Sequence, residues 1–543
     1  MNAVSHTELT PLSFLERSSQ VFATKTAVVY ETRSWTYREF ADEVDRVAAA
    51  LTASGVGRGD RVAYLMPNLP EMLVAHYAVP RAGAVLVAIN TRLSSDEIAY
   101  ILEHSGAVML IADADYAETV AAAVDVAATV REVVVAVDQV AQSSGEAVPR
   151  TAQRLGFTDY RDFHRRASEA GNPAVDLRER DPIAINYTSG TTGRPKGVVY
   201  SHRGAYLNSF GEIVHSSLTA DSVYLWTLPM FHCNGWCTTW AVTAIGGTHV
   251  CLREVRGDVI WREIRSRAVT HLNGAPTVVT TILNSRGADA LEHPLTITTA
   301  GAPPSPSTIA EVEQLGFTIV HVYGLTETYG PYSVCQPQRS WSSEEPEARA
   351  RMQARQGVGM IQADRLRVVG MDMVDVPADG ATMGEIVMRG NNVMLGYFDD
   401  TDGTSKAFDG GWFHSGDLGV VHPDGYVELR DRAKDVVISG GENISTIEVE
   451  QSLMSHPGVL ETAVIGVPDE QWGERPRAYV VLKPGSGACE ADLIAHVKQR
   501  IARYKAPREV VLIDALPKTS TGKIRKVALR EEAWAQKDTR IQG

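Results

Sequence analysis

Apolar residues recur along this chain with two alternating periods. Ala27–Tyr30 is a short run of strand character. Thr36-Tyr37-Arg38-Glu39 then opens a stretch with Phe40, Val44, Val47, Ala48 and Leu51 at helical spacing, closed by Gly55. The Thr-to-Glu spacing is that of a capping box, in which a hydroxyl and a carboxylate satisfy two otherwise orphaned backbone N–H groups. The alternation continues with a strand at Arg61–Leu65, a helix at Glu71–Arg81 and a strand at Ala84–Ile89. A second capping box, Ser94-Ser95-Asp96-Glu97, heads a helix carrying Ile98, Ile101 and Leu102 that stops at Gly106. Strands at Ala107–Ala112 and Glu132–Val137 complete the series. Strands and helices in this order predict a parallel sheet covered by helices. Asp138–Asp181 is polar and irregular, and predicts surface elaboration between two lobes.

Beyond it, a helix from Gly204 leads to a strand at Val223–Thr227, followed by a helix near Val259–Arg267, the segment Ala275–Leu283 and a strand at Leu295–Ala300. The turn Gly301-Ala302-Pro303-Pro304, a helix to Leu315 and a strand at Thr318–Val322 run into a tight turn, Tyr323-Gly324-Leu325-Thr326-Glu327. After Gly357 the strands shorten, including Gly384–Arg389 and Gly425–Leu429, which predicts a small β-rich subdomain. The charge run Asp431-Arg432-Ala433-Lys434-Asp435 marks the last boundary. Past it, Ser445-Thr446-Ile447-Glu448 caps a helix ended by Pro457. Strands at Val459–Val467, Ala478–Leu482 and Glu509–Ile513, with a helix at Ala491–Ala502, predict a small α/β domain that ends in the loop Pro517–Lys523.

A chain of 543 residues exceeds one core, and its 44% hydrophobic and 22% charged residues are those of a globular protein. A net charge of −14 opposes general nucleic-acid binding, which needs a basic surface. Five scattered cysteines imply no disulfide framework and suit a reducing, cytoplasmic setting, and Met1–Leu15 has no basic-then-apolar signal pattern. Leu225–Leu252 lacks Asp, Glu, Lys and Arg and is long enough for a bilayer. Pro229, Asn234, Gly235, Gly246 and Gly247 interrupt it, with His232 and His249 inside, so a buried core segment or the wall of an apolar cavity is predicted, and no stable membrane span.

One segment cannot belong to any core. Tyr187-Thr188-Ser189-Gly190-Thr191-Thr192-Gly193-Arg194-Pro195-Lys196-Gly197 sets three glycines, hydroxyls and a lysine between two apolar segments. Glycines let a backbone approach a polyphosphate, amides and hydroxyls donate to its oxygens, and lysine supplies counter-charge. The spacing is not that of a Walker loop. The plain alternative is a solvated surface loop.

This loop, the Tyr323–Thr328 turn, Ser415-Gly416-Asp417, Asp431–Asp435 and Pro517–Lys523 follow one another in a known order. From about Ala27 to Arg530 the chain resembles the adenylate-forming superfamily of acyl-CoA synthetases, luciferases and peptide-synthetase adenylation domains. The resemblance implies an α/β fold: a large N-terminal domain of stacked mixed sheets with helices and a small β-rich subdomain (1–431), a hinge (432–435), and a small mobile α+β C-terminal domain (436–543). It implies an ATP-dependent acid–CoA ligase that uses Mg²⁺ and coenzyme A, makes an acyl-AMP and then a thioester, and forms a homodimer as long-chain relatives do.

The same resemblance assigns the residues. Thr188, Ser189, Gly190, Thr191, Thr192, Gly193 and Lys196 hold the phosphates, and Thr188 and Glu327 contact Mg²⁺. Tyr323 stacks on adenine, with Gly301, Ala302, Pro303 and the main chain at His321 and Val322 opposite, and Gly324 and Thr326 in the same turn. Asp417 accepts the ribose hydroxyls, an acceptor-only carboxylate suiting a diol, with Arg432 nearby. Lys523 neutralises charge that builds at the α-phosphate, Lys434 occupies the hinge, and Gly440 and Gly441 guide the pantetheine thiol after the C-terminal domain turns.

Phe231-His232-Cys233-Asn234-Gly235-Trp236 resembles the acyl-lining segment, with Gly301 also beside the acyl group. His232 is either near the carboxylate or a core histidine. Trp236 matches the gate of an apolar tunnel in bacterial long-chain acyl-CoA synthetases, and Trp341–Gly357 follows that subgroup, whereas Asn443 and Ile438 stand where its pattern has tryptophan and lysine. A medium- or long-chain fatty acid is therefore the expected substrate. An aromatic, branched or short acid, a carrier-protein acceptor, or a nucleotide-binding protein without catalysis are the alternatives. His232, Cys233 and Cys237 lack a fourth ligand at zinc spacing.

Overall fold

Two large sheets carry most of the chain and enclose its main core. The computed structural model describes residues 3–138, 140, 155–169, 175–188, 194–301, 306–439, 442–469, 472–519 and 523–534. The first sheet runs, in spatial order, Gly396–Tyr397, Gly197–Ser201, Pro182–Tyr187, Val85–Ala88, Arg61–Leu65, Ala107–Asp113, Glu132–Ala136 and Thr158–Asp159. Its six strands from Pro182–Tyr187 onward are parallel. The second sheet is parallel from Thr26–Tyr30 through Thr248–Val250, Val223–Leu225, His271–Gly274 and Leu295–Thr299 to Phe317–Leu325. The predicted parallel character holds in the interiors. Three of the four edges are antiparallel, closed at Arg33–Thr36, Gly330–Val334 and Gly197–Ser201, while the Thr158–Asp159 edge stays parallel.

Local signals placed the covering helices well. Both capping boxes form, at Thr36 with Glu39 and at Ser94 with Glu97, and Gly106 ends its helix at φ 63°, a left-handed cap that glycine adopts without penalty. Tyr37, Phe40, Tyr77, Trp226 and Trp240 are fully buried in the core shared by both sheets. The charge-free stretch Leu225–Leu252 is divided between this core and two smaller apolar clusters, and among the described residues no helix is long and apolar enough to cross a membrane.

Two expectations fail. The polar region before Asp181 is not all irregular: Tyr160–Arg165 is a helix whose Phe163 is fully buried, and Arg166 pairs with Glu132 at 2.8 Å. Phe163 and Tyr160 with the Arg166–Glu132 and His164–Glu43 pairs dock it, within a helix too short to produce a periodic signal. His271–Gly274 is a central strand that the pattern did not predict, since histidine, asparagine and glycine mask it.

The β-rich subdomain is a four-stranded antiparallel sheet of Arg367–Val369, Gly384–Met388, Phe413–Val421 and Val427–Arg432. The chain then enters a separate sheet in which Val459–Asp469 and Gly473–Leu482 form a long antiparallel pair, with Glu509–Leu512 added parallel. Helices Thr446–Met454 and Glu490–Arg500 pack on one face, and Lys526–Trp534 packs on the other. The charge run between the sheets is anchored. Buried Asp431 accepts from Thr446 Oγ1 at 2.8 Å, and Asp435 pairs with Arg530.

Candidate active site

The site gathers where the loop of the last domain meets the ends of both large sheets. Strands Pro182–Tyr187 and Gly197–Ser201 form the roots of the glycine-rich segment, and the Thr188 N–H donates to the Lys196 carbonyl at 3.0 Å to close its neck. Ser189, Gly190, Thr191, Thr192 and Gly193 lie outside the described residues, as do Ala302, Pro303, Gly440 and Gly441. Lys196 is exposed, pairs with Asp400 at 3.0 Å and sits 4.5 Å from the centre of the Tyr397 ring. The Tyr397 hydroxyl donates to Glu327 Oε1 at 2.9 Å, and the Met394 N–H to the Glu327 carbonyl at 2.8 Å. Tyr397 and Asp400 were not legible as site residues. Two hundred positions separate them from the loop, and only the pairing of Gly396–Tyr397 with Val198–Val199 brings them there. Burial raises the Glu327 carboxyl above its ordinary value.

The turn Tyr323–Glu327 is the end of a longer strand, Phe317–Leu325, with an irregular register at Tyr323 and Gly324. Gly324 is required by closeness: a Cβ there would stand 1.9 Å from the Gly330 carbonyl oxygen. The Tyr323 hydroxyl donates to Asp417 Oδ2 at 2.7 Å, and Arg432 Nε lies 3.2 Å from Oδ1. Asp417 is buried, yet Oδ1 has no hydrogen bond of good geometry. The His321 ring donates to the Arg355 carbonyl at 2.8 Å, and burial holds it neutral, its pKa lowered to about 4. Val322 is packed in an apolar cluster, so both residues offer only main chain. Gly301 is exposed with φ 96°.

Lys523 sits on a small hairpin closed by the Thr519 N–H to the Lys523 carbonyl at 2.7 Å and by pairing of Lys518 with Ile524. Its side chain keeps access to solvent although protein surrounds it in the cleft. That enclosure, joined by repulsion from Arg432 and Lys434 and opposed by attraction to Asp417 and Asp435, lowers its ammonium to about 8. Lys434 is lowered to about 8 as well, by burial and then by Arg432. His232, half-buried, is lowered to about 4 by burial and by the Lys523 charge. The Cys233 thiol is pushed up to about 12 by burial and stands 3.6 Å from Thr326 Oγ1. Lys523, His232, Thr326, Glu327, Asp417, Arg432 and Lys434, scattered over three hundred residues, thus come together.

The segment after His232 has a conformation that the sequence did not announce. Cys233, Asn234, Gly235, Trp236 and Cys237 have φ values of 47°, 45°, 58°, 55° and 61°, a left-handed turn with a single glycine. The Asn186 side chain bonds Asn234 twice: Asn186 Nδ2 donates to Asn234 Oδ1, and the Asn234 backbone N–H donates to Asn186 Oδ1 at 3.3 Å. This amide pair spans from the strand before Thr188 to the turn. Trp236 is buried against Gly330, where a Cβ would come within 2.6 Å of its indole. It packs with Leu228, Cys233, Ala300, Val322, Val334 and Met360. Among the described residues, no group of three or more His, Cys, Asp or Glu is placed to hold a metal ion by itself.

Residues 15–398 match the family model described as AMP-binding enzyme, and residues 448–523 match that of the AMP-binding enzyme C-terminal domain. The chain is 44% identical to an acetate–CoA ligase of Humulus lupulus over 98% of its own length and 96% of the relative's. It is 41% identical to a 2-methylpropanoate–CoA ligase of the same plant, over 97% and 96% of the two chains. Among solved structures, an anthranilate CoA ligase in complex with anthranoyl-AMP superposes with a TM-score of 0.85 at 25% identity, over 98% of this chain and 99% of that one. These relatives overturn the expectation of a medium- or long-chain fatty acid: their names specify acetate, a branched acid and an aromatic acid, and others specify butyrate, 4-hydroxybutyrate and trans-cinnamate. The motif around Trp236 does not fix acyl length, because a tryptophan can gate a long tunnel or plug a short pocket with the same neighbours in sequence. The cytoplasmic expectation is overturned too, since four relatives are named peroxisomal and a reduced cysteine set fits either compartment. Two models in their expected order, on a fold shared end to end with adenylate-bound structures, settle the lineage: the chain belongs to the family of AMP-binding enzymes.

Proposed function

We propose that this acid–thiol ligase activates a short, branched-chain or aromatic carboxylic acid as an acyl-AMP and transfers it to CoA. The observation that carries this is Trp236: its indole fills the space over Gly330 within an apolar cluster that includes Cys233, the neighbour of His232, so that a long straight chain would meet the indole. The names of the relatives agree with it.

A free carboxylate does not react with a thiol, because oxide would have to leave; joined to AMP, it carries a good leaving group. Lys523 would neutralise charge at the α-phosphate as the acid attacks and pyrophosphate departs. Asp417 would take a ribose hydroxyl on Oδ1, the oxygen without a hydrogen bond, while Tyr323 holds Oδ2. His232, neutral at physiological pH, would face the acid's carboxylate without competing for its charge. Mg²⁺ fits Glu327 and Thr188: a single carboxylate raised by burial suits a cation that otherwise binds phosphate oxygens and water, and the ion would supply charge neutralisation on the triphosphate. Residues 1–431 and 436–543 would act as two bodies about 432–435, with the last domain turning to admit CoA.

The test is pyrophosphate and AMP release over acetate, butyrate, 2-methylpropanoate, benzoate and straight acids up to sixteen carbons, with and without CoA. The reading predicts the highest kcat/KM at or below about six carbons or for the ring acid. A maximum at twelve or more carbons would overturn it.

A further inference from the structure

Behind the Trp236 cluster lies a second group of buried polar side chains that the adenylation chemistry does not use. Glu212, on the helix His202–His215, is fully buried, and neither of its carboxyl oxygens has a hydrogen-bond partner. Burial raises its acid to about 8, with no cation opposing. Fully buried Asn208, one turn earlier, accepts from Gln362 Nε2 at 2.8 Å and lies beside the Cys237 thiol. Gln362 lies over Gly211, where a Cβ would fall 2.0 Å from Gln362 Oε1, and that oxygen also lacks a partner. Tyr224 and Cys237 both face Glu212 closely enough for its charge to raise them.

These groups adjoin the proposed acyl site at two points. Cys237 follows Trp236 in the left-handed turn, and Gln362 Nε2 touches the sulfur of Met360, a member of the Trp236 cluster, at 3.7 Å. An acid whose carboxylate lay by Lys523 and His232 and whose chain ran along the Trp236 cluster, past Cys237 and Met360, would bring its far end toward Glu212. A buried carboxyl without a partner is unfavourable in an apolar setting, and a ligand that supplies a donor removes that penalty while an apolar end does not.

We propose that Glu212, with Asn208 and Gln362, forms a polar end pocket that takes a hydrogen-bond donor, a hydroxyl or amino group, at the far end of the acid. This deepens the short-acid ligase reading and rests on it. It also gives a reason for rejecting fatty chains, whose methyl end would meet an unpaired carboxyl.

The experiment compares acids matched in length that end in hydroxyl or methyl: 4-hydroxybutyrate against pentanoate, and 5-hydroxypentanoate against hexanoate. Each is read both as pyrophosphate release and as calorimetric binding to the full chain. The wild type is expected to favour the hydroxy acid of one pair by about tenfold or more, the scale of one buried hydrogen bond. Glu212→Leu, which replaces an unpaired acid by an apolar side chain, is expected to reverse that preference with the KM for ATP unchanged; Glu212→Gln, close in shape, is expected to retain part of it and serves if the leucine variant does not fold. Ratios within twofold across wild type and variants, in turnover or in binding, would overturn the inference. Failure of the ligase reading looks different: acids bind with the expected ratio, yet none releases pyrophosphate.

Discussion

The ionisation of Lys523 makes the adenylation half-reaction sensitive to alkaline pH in a way that can be traced to one nitrogen. Enclosure in the cleft and the Arg432 charge lower its ammonium to about 8. A lysine at that value is about nine-tenths charged at pH 7 and about one-tenth charged at pH 9. If only the charged form stabilises the α-phosphate, kcat/KM for ATP, which reports the free enzyme, falls about tenfold between pH 7 and 9. The limb in kcat itself lies higher, because bound triphosphate favours the ammonium. Lys523→Arg keeps its charge throughout and should flatten the alkaline limb whatever its absolute rate. Lys434, also lowered to about 8, is the competing source, and Lys434→Arg should leave the limb in place. Stopped-flow pyrophosphate release over pH 6.5–9.5 makes the measurement. Thioester formation from supplied acyl-AMP is the control, since Lys523→Ala should abolish adenylation and largely spare that step. An alkaline limb that persists in Lys523→Arg would refute the assignment.

Three further outcomes follow from the geometry. Glu212 has a folded-state pKa near 8 against an ordinary value of 4.5, so the native state holds an extra proton between them and stability falls as pH rises through that window, by about 5 kcal/mol at the limit. Glu212→Gln should therefore show little advantage in Tm at pH 5 and a growing one up to pH 9; a gap that does not widen would show that residue 212 does not titrate in the native state. Asp417→Asn keeps the shape but replaces one acceptor with a donor, and should raise the KM for ATP about tenfold or more with little change in the KM for the acid; equal changes in both would remove the ribose role. Trp236→Ala opens the space over Gly330 and should move the preferred acid two or more carbons longer without altering the KM for ATP, as read from a chain-length series; an unmoved optimum would dismiss Trp236 as the stop.

Much of the framework was legible because its signals are local. Thr36 with Glu39 and Ser94 with Glu97 satisfy backbone groups within four residues, and Gly106 ends its helix by its own φ. The antiparallel edges, the docking of Phe163 and the central strand His271–Gly274 depend on partners far away in sequence. The motifs expected to hold the nucleotide stood out because glycines, hydroxyls and charge cluster in them and follow one another in a known order, not because a surface loop excludes that composition. Tyr397 and Asp400 did not, for each is an ordinary residue until strand pairing places it under Lys196 and Glu327. Glu212 was hidden for the opposite reason: a glutamate in a helix reads as a solvated side chain, and only tertiary packing buries this one.

The left-handed turn at Cys233–Cys237 bears on how this enzyme's range could be diversified. Four of its five residues carry a Cβ in a conformation that costs roughly 1–2 kcal/mol for each ordinary residue. The residues present already carry that cost, and a β-branched replacement, or any side chain at Gly235, whose Cβ would come 2.8 Å from Trp226, would add to it. Mutational libraries are better aimed at Ala300, Val334 and Met360, which face the same indole from backbones at negative φ. On that side, codon choice explores pocket shape rather than backbone tolerance.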